Sequence, residues 1–437
     1  MVRTAGGRHL GTVVALTTWV ALLVASVWWG RHLLPGGDLN VKAPPFLGEY
    51  RVNIRSVVPA AAFALVAVAV FPPVARRLRW GVLLVVAWLL AAAWAVLLAA
   101  WDGHRSLGSA ISRGHEYLPA LGAVGDDPGQ FLRTYAEGVA ARDFPVHVNG
   151  HPPLMVLVFW VWDRIGLSGE LWAAALVIGA GSSAVVAVAV TVRALGDEAA
   201  ARAALPFLVL APFAITVATS ADAFFLGVGA WAAAALATGV RRGSAVLLGL
   251  GGLLAGSLPY LSYGLLPLGA VLLAAAVLAL RNTHPPVRVP ALGGLVVGLL
   301  VVPLTMTLAG FWWPDGVAAT HRAWELGKGD DRPYGYSFLA DFAILGVLVG
   351  PATAVAGWRR PGRVPVVLAV AALVGVLTLA VSGVTRLEVE RIWLPYAPWM
   401  VALCAALPVR GRLTARGWLL ANAACAVVFQ ALVLGVW

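Results

Sequence analysis

The residues that can do chemistry gather between Trp101 and Glu170. Eight of the twenty acidic residues lie there: Asp102, Glu116, Asp126, Asp127, Glu137, Asp143, Asp163 and Glu170. At the centre stands Asn149-Gly150-His151-Pro152-Pro153-Leu154. A carboxylate in such a loop can take the proton of an acceptor hydroxyl as a general base, or ligate Mg²⁺ or Mn²⁺ beside a phosphate. The candidates are Glu116, in Gly114-His115-Glu116-Tyr117, and the pair Asp126 and Asp127, before Pro128-Gly129. Each also has a plainer role: Asp127-Pro128-Gly129 makes a turn and Asp126 caps it. His151 can bind a phosphate oxygen or orient a carboxylate. By composition alone, Pro152-Pro153 are a helix start and His151 marks its entry.

Further candidates lie downstream. Asp222, in Thr219-Ser220-Ala221-Asp222, is an ionisable group beside long apolar runs. Such groups are costly near membrane depth and are functional suspects, although Asp222 also suits a helix cap. Arg386, Glu388, Glu390 and Arg391 precede Ile392-Trp393-Leu394-Pro395-Tyr396. Two arginines at an interface can hold a phosphate or diphosphate head group. The plainer reading is an aromatic anchor with internal ion pairs. Tyr260, Tyr263, Trp312, Trp313, Trp324, Tyr334 and Tyr336 offer ring faces to a sugar, and membrane interfaces also collect such rings. No Walker A, Rossmann, zinc or Ser-His-Asp signature is evident. Cys404 and Cys425 fall in apolar runs and read as small buried hydrophobes.

Hydrocarbon must position these residues. The chain has 437 residues, 61% hydrophobic and 12% charged, where a soluble protein has roughly 25% charged. Apolar runs of about 20 residues recur, each enough to cross a bilayer as a helix. The expected fold is an all-α polytopic membrane protein, a single domain over 1–437. Continuous rather than alternating apolar runs argue against a β-barrel. Thirteen spans are expected: 10–29, 57–74, 80–100, 171–192, 203–219, 222–240, 244–258, 263–280, 289–309, 338–357, 364–382, 393–408 and 417–436. The first is long enough to remain as a helix rather than a cleaved leader. Leu154 to Ile165 is too short to span and reads as an interfacial helix, which keeps the charge alternation intact, the other reading being a span with Asp163-Arg164 at its inner end; Gln130 to Ala141 is a second candidate interfacial helix.

Charge gives the orientation. One set of alternate loops carries 17 basic residues, from Arg3 to Arg416, against Asp197 and Glu198. Basic loops face the cytoplasm. The N-terminus is then inside, the C-terminus outside, and the long segments 101–170 and 310–337 outside. The net charge of +11 is therefore mainly topological and calls for no nucleic acid.

The order of these features resembles the C-fold superfamily of glycosyltransferases, whose members take a sugar from a polyprenyl-phosphate carrier. The nearest likenesses are the protein O-mannosyltransferases and the lipid A aminoarabinose transferases. Those carry an Asp-Glu pair in a large outer loop, then His-Pro-Pro-Leu or Lys-Pro-Pro-Leu at the start of a short interfacial helix. Here Asp126-Asp127 precedes His151-Pro152-Pro153-Leu154 at a similar interval. Two spans joined by a basic turn then lead to a Thr-x-Asp-like turn, here Thr219 to Asp222. The likeness by motif covers residues 110–245. It departs in the loop following the third span and in Asp-Asp standing for Asp-Glu, and Glu116-Tyr117 rivals the pair. The Ala-, Val-, Gly-, Arg- and Trp-rich usage resembles membrane proteins of high-GC actinobacteria.

The resemblance implies an inverting glycosyltransferase of the plasma membrane. Its donor is a polyprenyl-phosphate-linked sugar, its acceptor a glycan, lipid or protein of the envelope, and membrane lipids surround it. Asp126, Asp127 or Glu116 is the expected base, the first two placed ahead by their spacing to His151. His151, Arg386 and Arg391 are expected on the donor phosphate, with Asp222, Glu390 and Tyr263 lining the substrate site. These residues fix no cofactor, and a divalent cation, Mg²⁺ or Mn²⁺, stays open. The alternative is a transporter or lipid flippase, whose signs are charges in mid-span and paired broken helices.

Overall fold

The structure is a computed structural model that describes residues 5–36, 39, 41–100, 105–282, 289–327, 331–359, 361–408 and 414–435. Asp102 and, of the orienting arginines, Arg3, Arg288, Arg360, Arg410 and Arg412 lie outside these residues. The described chain is helical almost throughout. The exception is a two-stranded antiparallel ribbon, Gly48–Tyr50 with Val433–Gly435, which fastens the loop after the first helix to the end of the last. A side chain at Gly48 would collide with the Leu434 carbonyl, so the close pairing requires glycine there.

Among the described residues, ten helices are long and apolar enough to cross a membrane, where thirteen spans were expected. The other three expectations meet shorter or broken elements. The 244–258 run is the helix Ala245–Leu261, of 17 residues. The 203–219 run is a helix, Glu198–Val209, that stops at Leu210 and resumes as the 3₁₀ turn Pro212–Thr216. Pro212 cannot continue the helical ladder, and the residue before it, Ala211, is extended. The 393–408 run, together with the short helix Val389–Ile392 before it, is broken into Leu394–Tyr396, Ala397–Val401 and Ala402–Ala406, with Pro395 and Pro398 in the first turns of two of these pieces. The two broken segments meet: Thr216 Oγ1 donates to the Glu390 carbonyl at 3.1 Å.

The segment between the third and fourth long helices folds into short helices. Pro128–Ala141 buries Phe131, Leu132, Tyr135 and Val139 on one face, the spacing of an amphipathic helix. Leu154–Arg164 follows the double proline and buries Met155, Val156 and Phe159. These match the two expected short helices.

Helices with apolar faces pack tightly where small residues allow close backbone approach. The helices Ala245–Leu261 and Val289–Leu308 achieve it with glycines. A Cβ on Gly252 or Gly256 would strike the Leu295 or Leu299 carbonyl, and one on Gly298 would strike the Gly249 carbonyl. Val289–Leu308 is mostly exposed elsewhere, so this seam is its main hold. Gly298→Ala should therefore lower the thermal midpoint in detergent, with an overpacking cost of about 1–3 kcal/mol. Gly293→Ala adds the same methyl where nothing lies within 4 Å and should leave it unchanged or raised. Equal effects at both positions would contradict the packed seam.

Candidate active site

Backbone hydrogen bonds bring two parts of the 105–165 segment together. His147 N–H donates to the His115 carbonyl at 3.0 Å, so the short helix Val146–Asn149 lies against the Gly114-His115-Glu116-Tyr117 turn. The Tyr135 hydroxyl sits 2.8 Å from the carbonyls of both Val148 and His151. Asn149 Nδ2 donates to the Phe144 carbonyl at 2.6 Å. The histidine turn is thus pinned from both sides before the chain enters Leu154–Arg164.

Glu116 is only 2% exposed. Its Oε1 lies 3.0 Å from His147 Nδ1 and 3.8 Å from His115 Nε2. His151, also buried, has Nδ1 at 2.7 Å from the His147 carbonyl. A carbonyl only accepts, so His151 Nδ1 carries the proton and Nε2 is the acceptor of the neutral ring. The Tyr117 ring meets the His151 ring at 5.9 Å, near edge-on. Burial raises the Glu116 carboxyl to about 7, against the opposing pull of Arg391, His115 and His151, while Asp222 adds to the rise. Burial lowers His147 well below the ordinary imidazole value, with the Arg391 charge acting in the same direction. Burial also lowers His151, although Asp222 opposes it. The centre therefore favours neutral imidazoles beside a carboxyl poised near neutrality.

An ion-pair network closes the other side. Asp222, the first residue of the Asp222–Arg242 helix, accepts from Ser220 Oγ at 2.8 Å and from Arg391 Nη1 at 3.1 Å. Arg391 Nη2 lies 3.4 Å from Glu388, and Arg332 Nη2 lies 2.9 Å from the same carboxylate. Arg332 also donates to the carbonyls of Arg386, at 2.6 Å, and Leu39, at 3.2 Å. The turn that aims these groups has Leu387 at φ 66° and Glu388 at φ 61°, where side chains rarely go. Asp341 Oδ1 holds it by accepting from Leu387 N–H at 2.9 Å.

A cavity of about 430 Å³ is lined by near sequence neighbours of both sets of residues. Its polar lining includes Ser109, Arg113, Thr216, Thr219, Glu390 and Gln430, and its remaining wall is largely aliphatic and aromatic. Arg113 lies three residues before Glu116, Thr219 next to Ser220, and Glu390 next to Arg391. Glu390 Oε1 accepts from Leu47 N–H at 3.1 Å.

Of the residues singled out in the sequence, Glu116, His151, Asp222 and Arg391 come together, with Glu390 in the adjoining cavity wall. Asp126 and Asp127 do not join them. Asp126 is exposed and pairs with Arg164. Asp127 caps the helix Pro128–Ala141, accepting from Gln130 N–H at 2.9 Å, and lies 3.7 Å from Arg133. Asp126 thus serves in a surface pair and Asp127 as a helix cap, the plainer kind of role the sequence also allowed them. Arg386 lies over the Trp324 ring at 5.3 Å and donates to the carbonyls of Gly383 and Arg332. Tyr263 packs edge-on against Trp313 at 5.6 Å. Sequence reasoning missed His147 and Arg332. The signal for His147 was its spacing of four residues before His151, which brings both to one turn. Arg332 carries no such signal, since its partners are some 55 and 290 residues away.

His115, Glu116 and His147 each offer a ligand atom, all within 4.8 Å of one another. Two imidazoles and one carboxylate suit Zn²⁺ or Mn²⁺ better than Mg²⁺, which prefers oxygen ligands. The Arg391 charge acting on the same carboxylate works against a cation there. No protein-family model, curated protein or solved structure matches the chain.

The raised Glu116 value has a thermodynamic consequence. Between about 4.5 and about 7 the folded chain holds a proton on Glu116 that the unfolded chain has released, so this group's contribution is present at low pH and lost as pH rises through about 7. His147 and His151 act oppositely, since the unfolded chain binds their protons more readily. Comparison with Glu116→Gln isolates the carboxyl. The stability of the variant relative to the parent should rise across that window, by on the order of 3 kcal/mol. Thermal midpoints from pH 4.5 to 7.5 check this, and a constant difference would contradict a buried, neutral-favouring site.

Proposed function

We propose that the chain is a multi-pass membrane glycosyltransferase of the C-fold kind, using a polyprenyl-phosphate-linked sugar, with Glu116 as the general base. The observation that carries this reading is the buried convergence of Glu116, His147, His151, Asp222 and Arg391, whose sequence neighbours Arg113, Thr219 and Glu390 help to line a cavity with an otherwise largely apolar wall. The ten long apolar helices and the arginines at alternate helix ends support placement in the plasma membrane, with the N-terminus cytoplasmic and the site on the outer side.

In this reading the acceptor hydroxyl enters next to Glu116. A base works best with a value near the working pH, and Glu116 lies there. His147 fixes the carboxyl through Nδ1. The acceptor oxygen attacks the anomeric carbon and its proton passes to Glu116. The bond from that carbon to the phosphate oxygen breaks, and polyprenyl phosphate leaves with the bonding pair. The attack comes from the face opposite the leaving group, so configuration inverts. Arg391, and Arg113 in the cavity wall, supply positive charge for the phosphate. No nucleotide fold is needed, because the sugar arrives already activated on lipid.

One observation favours a second reading, proton-coupled transport. The two broken helical segments meet at Thr216 and Glu390, and titratable residues are buried beside them. Purified protein given radiolabelled polyprenyl-phosphate hexoses and pentoses, with membrane extract as acceptor, separates the two. Glycosyl transfer should fall about 10²–10⁴-fold in Glu116→Gln, the usual contribution of a positioned base. Asp126→Asn and Asp127→Asn should transfer like the parent. Full transfer by Glu116→Gln would sink the carboxylate mechanism. No transfer by the parent from any donor, with proton uptake in proteoliposomes that Glu116→Gln abolishes, would establish transport instead.

A further inference from the structure

A second cavity, of about 850 Å³, lies at the far end of the helix whose first residue is Asp222. Its floor is one stripe of the Asp222–Arg242 helix: Trp231, then Ala234 and Ala235, then Thr238, then Arg241 and Arg242. These positions recur at helical spacing and so share a face. The two alanines hollow the middle of the stripe. Leucines of Ala245–Leu261 form one wall, and the end of Glu170–Ala194 forms the other.

The ends of this groove differ in chemistry. One is hydrocarbon and the indole of Trp231. The other holds three arginines, Arg193, Arg241 and Arg242, with no carboxylate among the lining residues. Arg193 is partly neutralised by Glu198 at 2.7 Å and lies over the Trp80 ring at 4.6 Å. Arg241 gives one bond, to the Asn282 carbonyl at 2.6 Å, and Arg242 is exposed. The guanidinium of Arg241 carries further N–H groups beyond the one that bond uses. The Thr238 hydroxyl has no hydrogen-bond partner among the described residues.

We infer that this groove is a binding site for an anionic phospholipid, with the phosphate at Arg241 and Arg242 and an acyl chain along the alanine floor. From Trp231 to Arg242 the helix rises about 16 Å at 1.5 Å per residue. That is close to half the ~30 Å hydrocarbon core, the depth of one leaflet. A soluble anion would use the arginines and leave the hollow unfilled. A neutral lipid would fill the hollow and leave the arginines without a counter-charge. Only a lipid with an anionic head meets both ends. Basic pockets between helices on the cytoplasmic side hold such head groups by the same chemistry. The site rests on the membrane reading of the helices and is independent of glycosyl transfer.

The test uses the full chain purified in detergent, titrated with phosphatidylglycerol or phosphatidylcholine, and native mass spectrometry of the bound lipid. The parent should retain phosphatidylglycerol selectively. Arg241→Gln with Arg242→Gln should weaken that retention about tenfold or more, with phosphatidylcholine unchanged. Ala235→Phe fills the hollow and should reduce phosphatidylglycerol retention with the arginines intact. Each variant is compared at an elution volume and thermal midpoint matching the parent. Unchanged retention in both variants would overturn the site, as would equal retention of the two lipids by the parent. Displacement of bound phosphatidylglycerol by inorganic phosphate alone would reduce it to an anion site and overturn the acyl-chain seat. Recovery of the chain in the soluble fraction without detergent would overturn the membrane reading itself, which the other outcomes leave standing.

Discussion

The buried pair of Asp222 and Arg391 is the constraint on which the rest of the site depends. Both residues are 5% exposed, and they meet at 3.1 Å. A charge removed from water in a bundle this apolar must be paired, and removing one partner of such a pair costs about 3–5 kcal/mol. The pair ties the start of the Asp222–Arg242 helix to the Val389–Ile392 turn. Through Glu388 it continues to Arg332, and through the Leu387 N–H to Asp341 on the helix Tyr334–Gly357. Three separated parts of the chain are thereby held in one register. The electrostatics of Glu116 follow from that register, since Arg391 and Asp222 act on its charge in opposite directions and burial decides the balance.

The apolar architecture puts the same demand for partners on the backbone. Broken helices leave backbone groups without ladder partners, and those groups need local satisfaction. The Glu390 carbonyl accepts from Thr216, and the Ala211 carbonyl accepts from the Trp94 indole at 3.1 Å. Ile215 and Thr216 from one broken segment and Glu390 from the other help to line the cavity of about 430 Å³. Glycine seams elsewhere, such as that between Ala245–Leu261 and Val289–Leu308, keep the surrounding helices tight without polar contacts. The same helix that presents Asp222 at one end carries Arg241 and Arg242 at the other, so one element links the proposed catalytic centre with the proposed lipid groove.

Much of the scaffold was legible in the sequence because hydropathy alone marks a long apolar helix. Ten of the thirteen expected runs match helices of sufficient length. The runs at 203–219 and 393–408 were misjudged because their apolar content continues across the break, so only Pro212, Pro395 and Pro398 report it. The short helices Pro128–Ala141 and Leu154–Arg164 were readable from their proline starts and apolar faces. The centre was legible in part. His151, Asp222 and Arg391 stood out as polar residues in apolar surroundings. Glu116 was ranked behind Asp126 and Asp127 because linear spacing to His151 was the only measure at hand. The turn that folds His147 back onto His115 was not legible, because it rests on a hydrogen bond between residues 32 apart in sequence.

The central claim is that the Glu116 cluster and its cavity receive a lipid-linked phosphate. Photo-crosslinking with a diazirine-bearing polyprenyl phosphate, followed by peptide mapping, tests it most directly. Adducts are expected in the segments that carry lining residues of the cavity near the cluster, 109–113 and 215–219, competed by unlabelled polyprenyl phosphate and not by the free polyprenol. Adducts confined to lipid-exposed surfaces such as Val289–Leu308, or equal competition by the free alcohol, would contradict it.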